Sequence, residues 1–124
     1  MGSTNEEIFT TWTKSLDDTP VSIVYLCGEL DASSVPMFLG DAQSLIDSGH
    51  DLIMDTHLLS YIDSTGLSAL FSIKQALQKS GHRLCIVGAH GLLIKIMHVA
   101  RADSEFRCYE TLDDAIADKV LSGW

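Results

Sequence analysis

Basic residues are scarce in this sequence. Eight lysines and arginines stand against 17 aspartates and glutamates, which gives a formal net charge of −9 over 124 residues. Because nucleic acids and anionic membranes attract clustered Lys and Arg, this balance argues against both as the main partner. A partner that offers a basic face suits an acidic chain better, and the alternative is that the acidity only aids solubility.

Long apolar runs are also missing. No run approaches the ~20 residues that a membrane-spanning helix needs, and the first residues lack the basic and apolar regions of a signal peptide. We therefore expect a cytoplasmic protein. The length and the hydrophobic fraction of 46% predict a single domain over residues 1–124, with its core at about 8–121 and a flexible tail over residues 1–7.

Catalytic and metal-binding motifs are absent as well. The sequence holds no P-loop, no Gly-x-Ser-x-Gly, no His-x-x-x-His pair and no Cys-x-x-Cys. Cys27 and Cys85 lie in apolar runs and are interpreted as reduced core residues, with a reactive thiol as the alternative. His50 and His82 adjoin glycines and are interpreted as solvated loop residues. We predict no catalytic residue, no cofactor and no metal site.

The sequence does contain alternating strand and helix patterns. Apolar runs predict strands over 8–12, 21–27, 51–56, 83–88 and 106–109, and helical periodicity predicts helices over 35–48, 64–80, 90–100 and from 111 onward. Strand and helix alternate from the second strand on, which implies parallel pairing with right-handed crossovers. The predicted fold class is α/β, with a mixed, mainly parallel sheet, an N-terminal hairpin and about four flanking helices.

Helical periodicity also predicts which side of each helix faces the core. Periodicity places Leu92 and Ala100 inward on the third helix and Val120 inward on the last. His90 is a candidate cap for the third helix. Ile73 and Ile94 are expected on outer faces, which hints at a contact patch. The oligomeric state is left open between a monomer and a weak dimer.

The segment 58–67 joins the third strand to the second helix. Asp63 and Ser64 stand where that helix begins, so either oxygen can accept a bond from a free backbone N–H, and the serine is then only a cap. Gly66 in the first turn costs about 1 kcal/mol relative to Ala, which suggests a need for space for a partner or a phosphate. A phosphoryl group on Ser64 would face the positive end of the helix dipole and would affect binding, not folding.

At three places the sequence resembles the STAS domain family, and within it the bacterial anti-sigma-factor antagonists. These places are Gly-Glu-Leu-Asp over 28–31, Tyr-Ile-Asp-Ser-Thr-Gly-Leu over 61–67 and Leu-Cys-Ile-Val-Gly over 84–88. The likeness covers residues 8–120. The Asp-Ser-Thr-Gly motif is its most specific part, whereas Gly-Glu-Leu-Asp alone is weak.

The resemblance implies a partner switch. In the family, the unmodified antagonist binds an anti-sigma factor, commonly a serine kinase with a histidine-kinase-like ATPase fold, and so frees the sigma factor. Phosphorylation of the serine that matches Ser64 breaks the complex, and a metal-dependent serine phosphatase resets it. Asp31 and Asp63 match positions on the partner surface, which we expect to include Ser64, Thr65 and Gly66.

Some alternatives remain open. Thr65 also carries a hydroxyl that a kinase could modify. His57 and Tyr61 make the approach to the site more polar and aromatic than the family pattern, which bears on partner choice. The chain could instead be a STAS scaffold or regulatory subunit of a stressosome-like or transport assembly. A small-molecule or nucleotide sensor is a third hypothesis, although only Gly66 is available to cradle a phosphate.

Overall fold

Five strands form one sheet, in the spatial order in which they occur along the chain. The computed structural model describes residues 9–16, 19–122 and 124, so the predicted tail over 1–7 lies outside the described residues. The elements are β1 (Phe9–Ser15), β2 (Val21–Leu30), α1 (Val35–Asp47), β3 (Asp51–Ile62), α2 (Ser64–Lys79), β4 (Leu84–Val87), α3 (Gly91–Val99), β5 (Arg107–Tyr109) and α4 (Leu112–Ser122).

The pairing of the strands confirms the predicted fold class. β1 and β2 are antiparallel, and β2, β3, β4 and β5 are all parallel to their neighbours. Each parallel step is made through a helix, as the alternating pattern requires. Parallel strands align their carboxyl ends along one edge of the sheet, and this edge carries the candidate site.

The hydrophobic core has two parts, one on each face of the sheet. The larger part joins strand residues such as Leu26 and Met54 to residues of α1, α2 and α3, among them Phe38 and Leu70. The smaller part joins Val21, Ile23, Ile53, Cys85 and Val87 to Ala115 of α4 and to Trp124. The sheet is therefore covered by helices on both faces, which explains the nearly continuous apolar character of its central strands.

Strand β3 is twice as long as the sequence indicates. Its prediction ended at Thr56, but the strand continues to Ile62 because its second half pairs with the end of β2, which itself runs through Gly28 to Leu30. The register shifts twice, between Tyr25 and Cys27 and again between Gly28 and Glu29, and each shift leaves an extra residue on β3. Such bulges break the alternation from which a strand is predicted.

Several predicted orientations are wrong. Ile73 is only 1% exposed, whereas Leu92 and Val120, predicted inward, are 40% and 79% exposed; Ile94 is exposed as predicted, at 51%. Ala100 is exposed and Cys27 is half-buried. In α3 nearly every residue is apolar, so periodicity alone cannot identify the face that meets the sheet.

The two loop histidines are bonded rather than solvated. His50 Nδ1 lies 2.8 Å from the hydroxyl of Ser22, and His82 Nδ1 lies 3.3 Å from a carboxylate oxygen of Asp51. Both imidazoles are half-buried.

In the part of the chain that the structure describes, no helix is long and apolar enough to cross a bilayer.

Asp51, the first residue of β3, holds α4 against the sheet. Its carboxylate accepts hydrogen bonds from Lys119 Nζ at 2.6 Å and from the backbone N–H of Arg83 at 2.8 Å. Lys119 also lies 4.8 Å from the ring centroid of Trp124. Burial by itself would raise the pKa of Asp51, but the bonds from Lys119 and Arg83 outweigh it and hold the pKa below 3.8.

We predict that Asp51→Asn lowers the free energy of unfolding by about 2 kcal/mol near pH 7, because charge-assisted hydrogen bonds are lost. A carboxyl group with a lowered pKa in the folded state stabilises the fold above its unfolded-state pKa. This contribution disappears as the pH falls below 3.8 through the folded-state value. The difference in the free energy of unfolding between wild type and variant, measured with urea, should therefore become smaller in acid. Glu110→Gln, which removes a charge from an exposed residue, should change stability little at any pH.

Candidate functional site

Two aspartates follow neighbouring strands at the same edge of the sheet. Leu30 at the end of β2 is in register with Ile62 at the end of β3. The next residues along the chain are Asp31 and Asp63, so both carboxylates lie at the carboxyl edge of adjacent parallel strands. Ligands of open α/β sheets commonly bind at this edge.

Helix α2 begins with Asp63 as its cap. One carboxylate oxygen of Asp63 accepts a hydrogen bond from the backbone N–H of Gly66 at 3.0 Å, and the backbone N–H of Asp63 donates to the carbonyl of Leu30 at 3.4 Å. The choice that the sequence left open, between Asp63 and Ser64 as cap, is thereby decided for Asp63. Ser64 is the first helical residue and does not serve as the cap.

The hydroxyls of Ser64 and Thr65 face outward. Both residues are exposed, and neither hydroxyl has a hydrogen-bond partner among the described residues. An exposed hydroxyl without an intramolecular partner is accessible to a second protein. Ser64 and Thr65 are consecutive residues and both are exposed, so either hydroxyl is available for modification.

Asp31 is fixed by the serines that follow it. The Ser33 hydroxyl donates to its carboxylate at 2.6 Å, and the backbone N–H groups of Ser33 and Ser34 donate to the same oxygen at 3.0 and 3.3 Å. The bond from the Ser33 hydroxyl is the main cause that lowers the pKa of Asp31, against a smaller opposing effect of burial. A fixed negative charge therefore stands beside the start of α2.

Gly66 is needed for packing. A Cβ at this position would lie 2.5 Å from the carbonyl oxygen of Leu30 and 2.8 Å from Cγ1 of Ile62. Gly66 is buried, so the space that the sequence interpretation reserved for a partner or a phosphate is occupied by the end of β2. Gly66 therefore lets α2 begin close to β2, and its place in the partner surface stays a prediction.

The second half of β3, which leads to the site, exposes polar, aromatic and apolar side chains. Tyr61 and Leu58 are 40% and 56% exposed. His57 is exposed and its Nδ1 lies 2.9 Å from a carboxylate oxygen of Asp55. His90 stands at the cap position of α3 but makes no side-chain cap bond; its Nε2 lies 3.0 Å from the carbonyl oxygen of His57. The imidazole of His90 thus covers part of the free edge of β3, a contact that no sequence pattern indicates.

No cluster of three or more metal-ligating side chains forms among the residues that the structure describes. The site as built offers two carboxylates, two exposed hydroxyls and a helix N-terminus. This set can present a surface and accept a modification.

The sequence model of the STAS domain matches residues 14–115. The chain belongs to the STAS domain family. The match includes the edge of the sheet with Asp31 and Asp63 and most of the helices that flank it. The single domain with a five-stranded, mostly parallel sheet and four helices is a STAS fold.

Solved structures extend this comparison. This STAS domain is similar to an anti-sigma factor antagonist from Mycobacterium paratuberculosis, with 27% identity, a TM-score of 0.78 and coverage of 88% of this chain and 92% of that one. It shares its fold with the Bacillus cell fate determinant SpoIIAA in its phosphorylated form, at 20% identity and a TM-score of 0.67, over 90% of this chain and 98% of that one.

The fold also occurs inside a much larger protein. The murine anion transporter Slc26a9 matches 94% of this chain with only 22% of its own length, at 20% identity and a TM-score of 0.67. Among curated proteins, none matches the sequence of this chain.

We predict that Gly66→Ala destabilises the domain by about 1–3 kcal/mol, the usual cost of forcing a methyl group into a packed site. The reason is the close approach of the new Cβ to the Leu30 carbonyl. Gly40→Ala is a matched control, because a Cβ at Gly40 in α1 meets nothing within 4 Å. This control should be stabilised by about 0.5–1 kcal/mol through helix propensity. Thermal unfolding of both variants checks the pair; equal effects would contradict the packing argument.

Proposed function

We propose that this STAS domain is an anti-sigma-factor antagonist in a phosphorylation-controlled partner switch. In its unmodified form it binds an anti-sigma factor that is also a serine kinase of the histidine-kinase-like ATPase type, and the sigma factor is released. Phosphorylation of Ser64 ends this binding. The observation that carries the proposal is the exposed Ser64 hydroxyl at the start of α2, which is free because Asp63 supplies the cap.

The partner surface would consist of the groups around this hydroxyl. Asp31, Asp63 and Thr65 would contact the anti-sigma factor together with Ser64, while Gly66 fixes where the helix begins. The acidic surface suits a partner with basic groups at its docking face. Membership of the family and the likeness to the mycobacterial antagonist support this assignment.

The phosphoryl transfer would use the partner's ATP. The Ser64 oxygen would form the new P–O bond to the γ-phosphorus of ATP, the bond from that phosphorus to the leaving ADP would break, and a base of the kinase would take up the hydroxyl proton. A metal-dependent serine phosphatase of the cell would remove the group by hydrolysis and restore the binding form. The STAS domain acts here as a binding module and a phosphate acceptor, not as an enzyme, and the switch would operate in the cytoplasm.

Phosphorylation is expected to weaken docking without disturbing the fold. The group adds a charge of about −1.5 to −2 beside the two existing carboxylates. Within the domain, the positive end of the α2 dipole offsets part of this charge. In the complex, the same charge and bulk would have to be desolvated against the kinase and its nucleotide phosphates, which costs binding energy.

The acceptor residue can be mapped directly. The unmodified protein is incubated with ATP and each ATPase-type serine kinase encoded in the same genome, and the phosphate is located by mass spectrometry. We expect one kinase to label Ser64, to label Thr65→Ala equally well and to leave Ser64→Ala unlabelled. Normal labelling of Ser64→Ala at Thr65 would contradict the assignment of Ser64.

A charge mimic tests the effect on binding. Ser64→Asp should weaken binding of the same kinase by at least about tenfold, or about 1.4 kcal/mol, with the melting temperature unchanged. Ser68→Asp is the matched control, since it adds the same charge one turn further along α2 at an exposed position. Equal affinity of the Ser64 and Ser68 variants in calorimetry would contradict the proposal. Failure to bind any such kinase, with stable co-purification in a larger assembly, would favour a scaffold or regulatory subunit instead.

A further inference from the structure

Much of the scarce positive charge of the chain is concentrated at the opposite end of the sheet from Ser64. A cavity of about 510 Å³ opens beside the amino ends of β4 and β5. Three of the eight Lys and Arg residues line it, namely Lys74, Arg83 and Arg107, together with His82. In a chain with a net charge of −9, such a concentration is not expected from an even distribution.

The negative groups near this cavity do not cancel its positive charge. Glu105 carries the one side-chain carboxylate among the described lining residues, and its Oε1 lies 3.6 Å from Lys74 Nζ. Just outside the lining, Asp118 lies 3.4 Å from Arg107, and Asp51 is bonded to Lys119. Counting side chains only, Lys74, Arg83, Arg107 and Lys119 against these three carboxylates leave one excess positive charge here, while the rest of the chain carries about ten negative charges by the same count.

Two of these cations still have unused donors. The Lys74 ammonium, with a side chain 20% exposed, lies 5.4 Å from the ring centroid of Phe106 and makes no hydrogen bond to any described residue. The exposed guanidinium of Arg83 has no partner within the described part of the chain. Gln78 and Ser104 add an amide and a hydroxyl to the lining. The cavity therefore presents several hydrogen-bond donors and positive charge together.

We propose that this cavity is a binding site for a small organic anion that carries phosphate groups. Guanidinium forks match the oxygens of a phosphate in geometry, and the lysine contributes a point charge. The cavity is larger than one inorganic phosphate and falls within the usual range of about 300–1,000 Å³ for small-molecule sites. The walls formed by Phe106 and Trp124 can accommodate an apolar part of the ligand.

The proposed site is separate from the partner surface. β3 runs 12 residues from Asp51, beside the cavity, to Ile62, beside Ser64, which corresponds to a distance on the order of 35 Å. A ligand in the cavity therefore leaves Ser64 free to be docked or modified. The inference does not depend on the partner switch, because it uses none of its residues.

Inorganic pyrophosphate is a suitable probe, since it carries the charge without an apolar part. Amide chemical shifts of the full chain are followed by NMR during titration, at an ionic strength held constant with sodium chloride. We expect saturable shifts at residues 81–84 and 104–107 and none at residues 64–67. Absence of saturable shifts, or shifts confined to the N-terminus of α2, would overturn the proposal.

Variants that remove single charges complete the test. Arg83→Gln and Lys74→Gln should each weaken pyrophosphate binding by about tenfold, whereas Lys95→Gln, at an exposed position of α3, should weaken it less than twofold. Arg83→Gln is the safer variant, because its side chain is exposed and its loss leaves the fold intact. Equal weakening by the Lys95 and Arg83 variants would show that net charge alone attracts the anion and would overturn the site.

Discussion

The contact between Gly66 and the carbonyl oxygen of Leu30 determines how this STAS domain presents its candidate site. Only a residue without a side chain allows α2 to begin so close to the end of β2. With the start of α2 this close to β2, the backbone N–H of Asp63 donates to the carbonyl of Leu30. The Asp63 carboxylate caps the helix by accepting a hydrogen bond from the backbone N–H of Gly66. Because the cap is supplied by Asp63, the hydroxyl of Ser64 has no structural task and is directed outward. Packing inside the domain thus creates a free group on its surface.

The register of the two strands brings the two acidic residues of the site to the same edge, since Leu30 pairs with Ile62. Asp31 follows Leu30, and its own carboxylate is held by Ser33 and Ser34 in the turn before α1. The negative charges at this edge of the sheet are therefore positioned by hydrogen bonds from the residues that follow each aspartate. A phosphoryl group on Ser64 would join two fixed carboxylates, and the electrostatic change would be felt by a docked protein more than by the domain.

The fold and the location of the site could be predicted because both depend on local patterns. The apolar run over 51–54, the periodicity from Leu67 to Leu77 and the polar residues between them are enough to place a helix start at residues 63–64. The second half of β3 could not be predicted, since its two bulges interrupt the alternation and its pairing depends on β2. The burial of Gly66 and the role of His90 depend on contacts between distant segments, which leave no periodic signal. The predicted orientations of Ile73 and Val120 are wrong for a related reason. Which face of a helix is covered depends on the elements that pack against it.

The central claim is that modification of one exposed hydroxyl changes docking and leaves the domain intact. The direct measurement compares unmodified protein with protein fully phosphorylated on Ser64, in both melting temperature and affinity for the kinase that modified it. The account predicts melting temperatures that agree within about 2 °C, a difference worth well under 1 kcal/mol, together with a loss of affinity of about 100-fold or more, equivalent to about 2.7 kcal/mol. Equal affinity of the two forms, or a loss of affinity that merely accompanies unfolding, would contradict it.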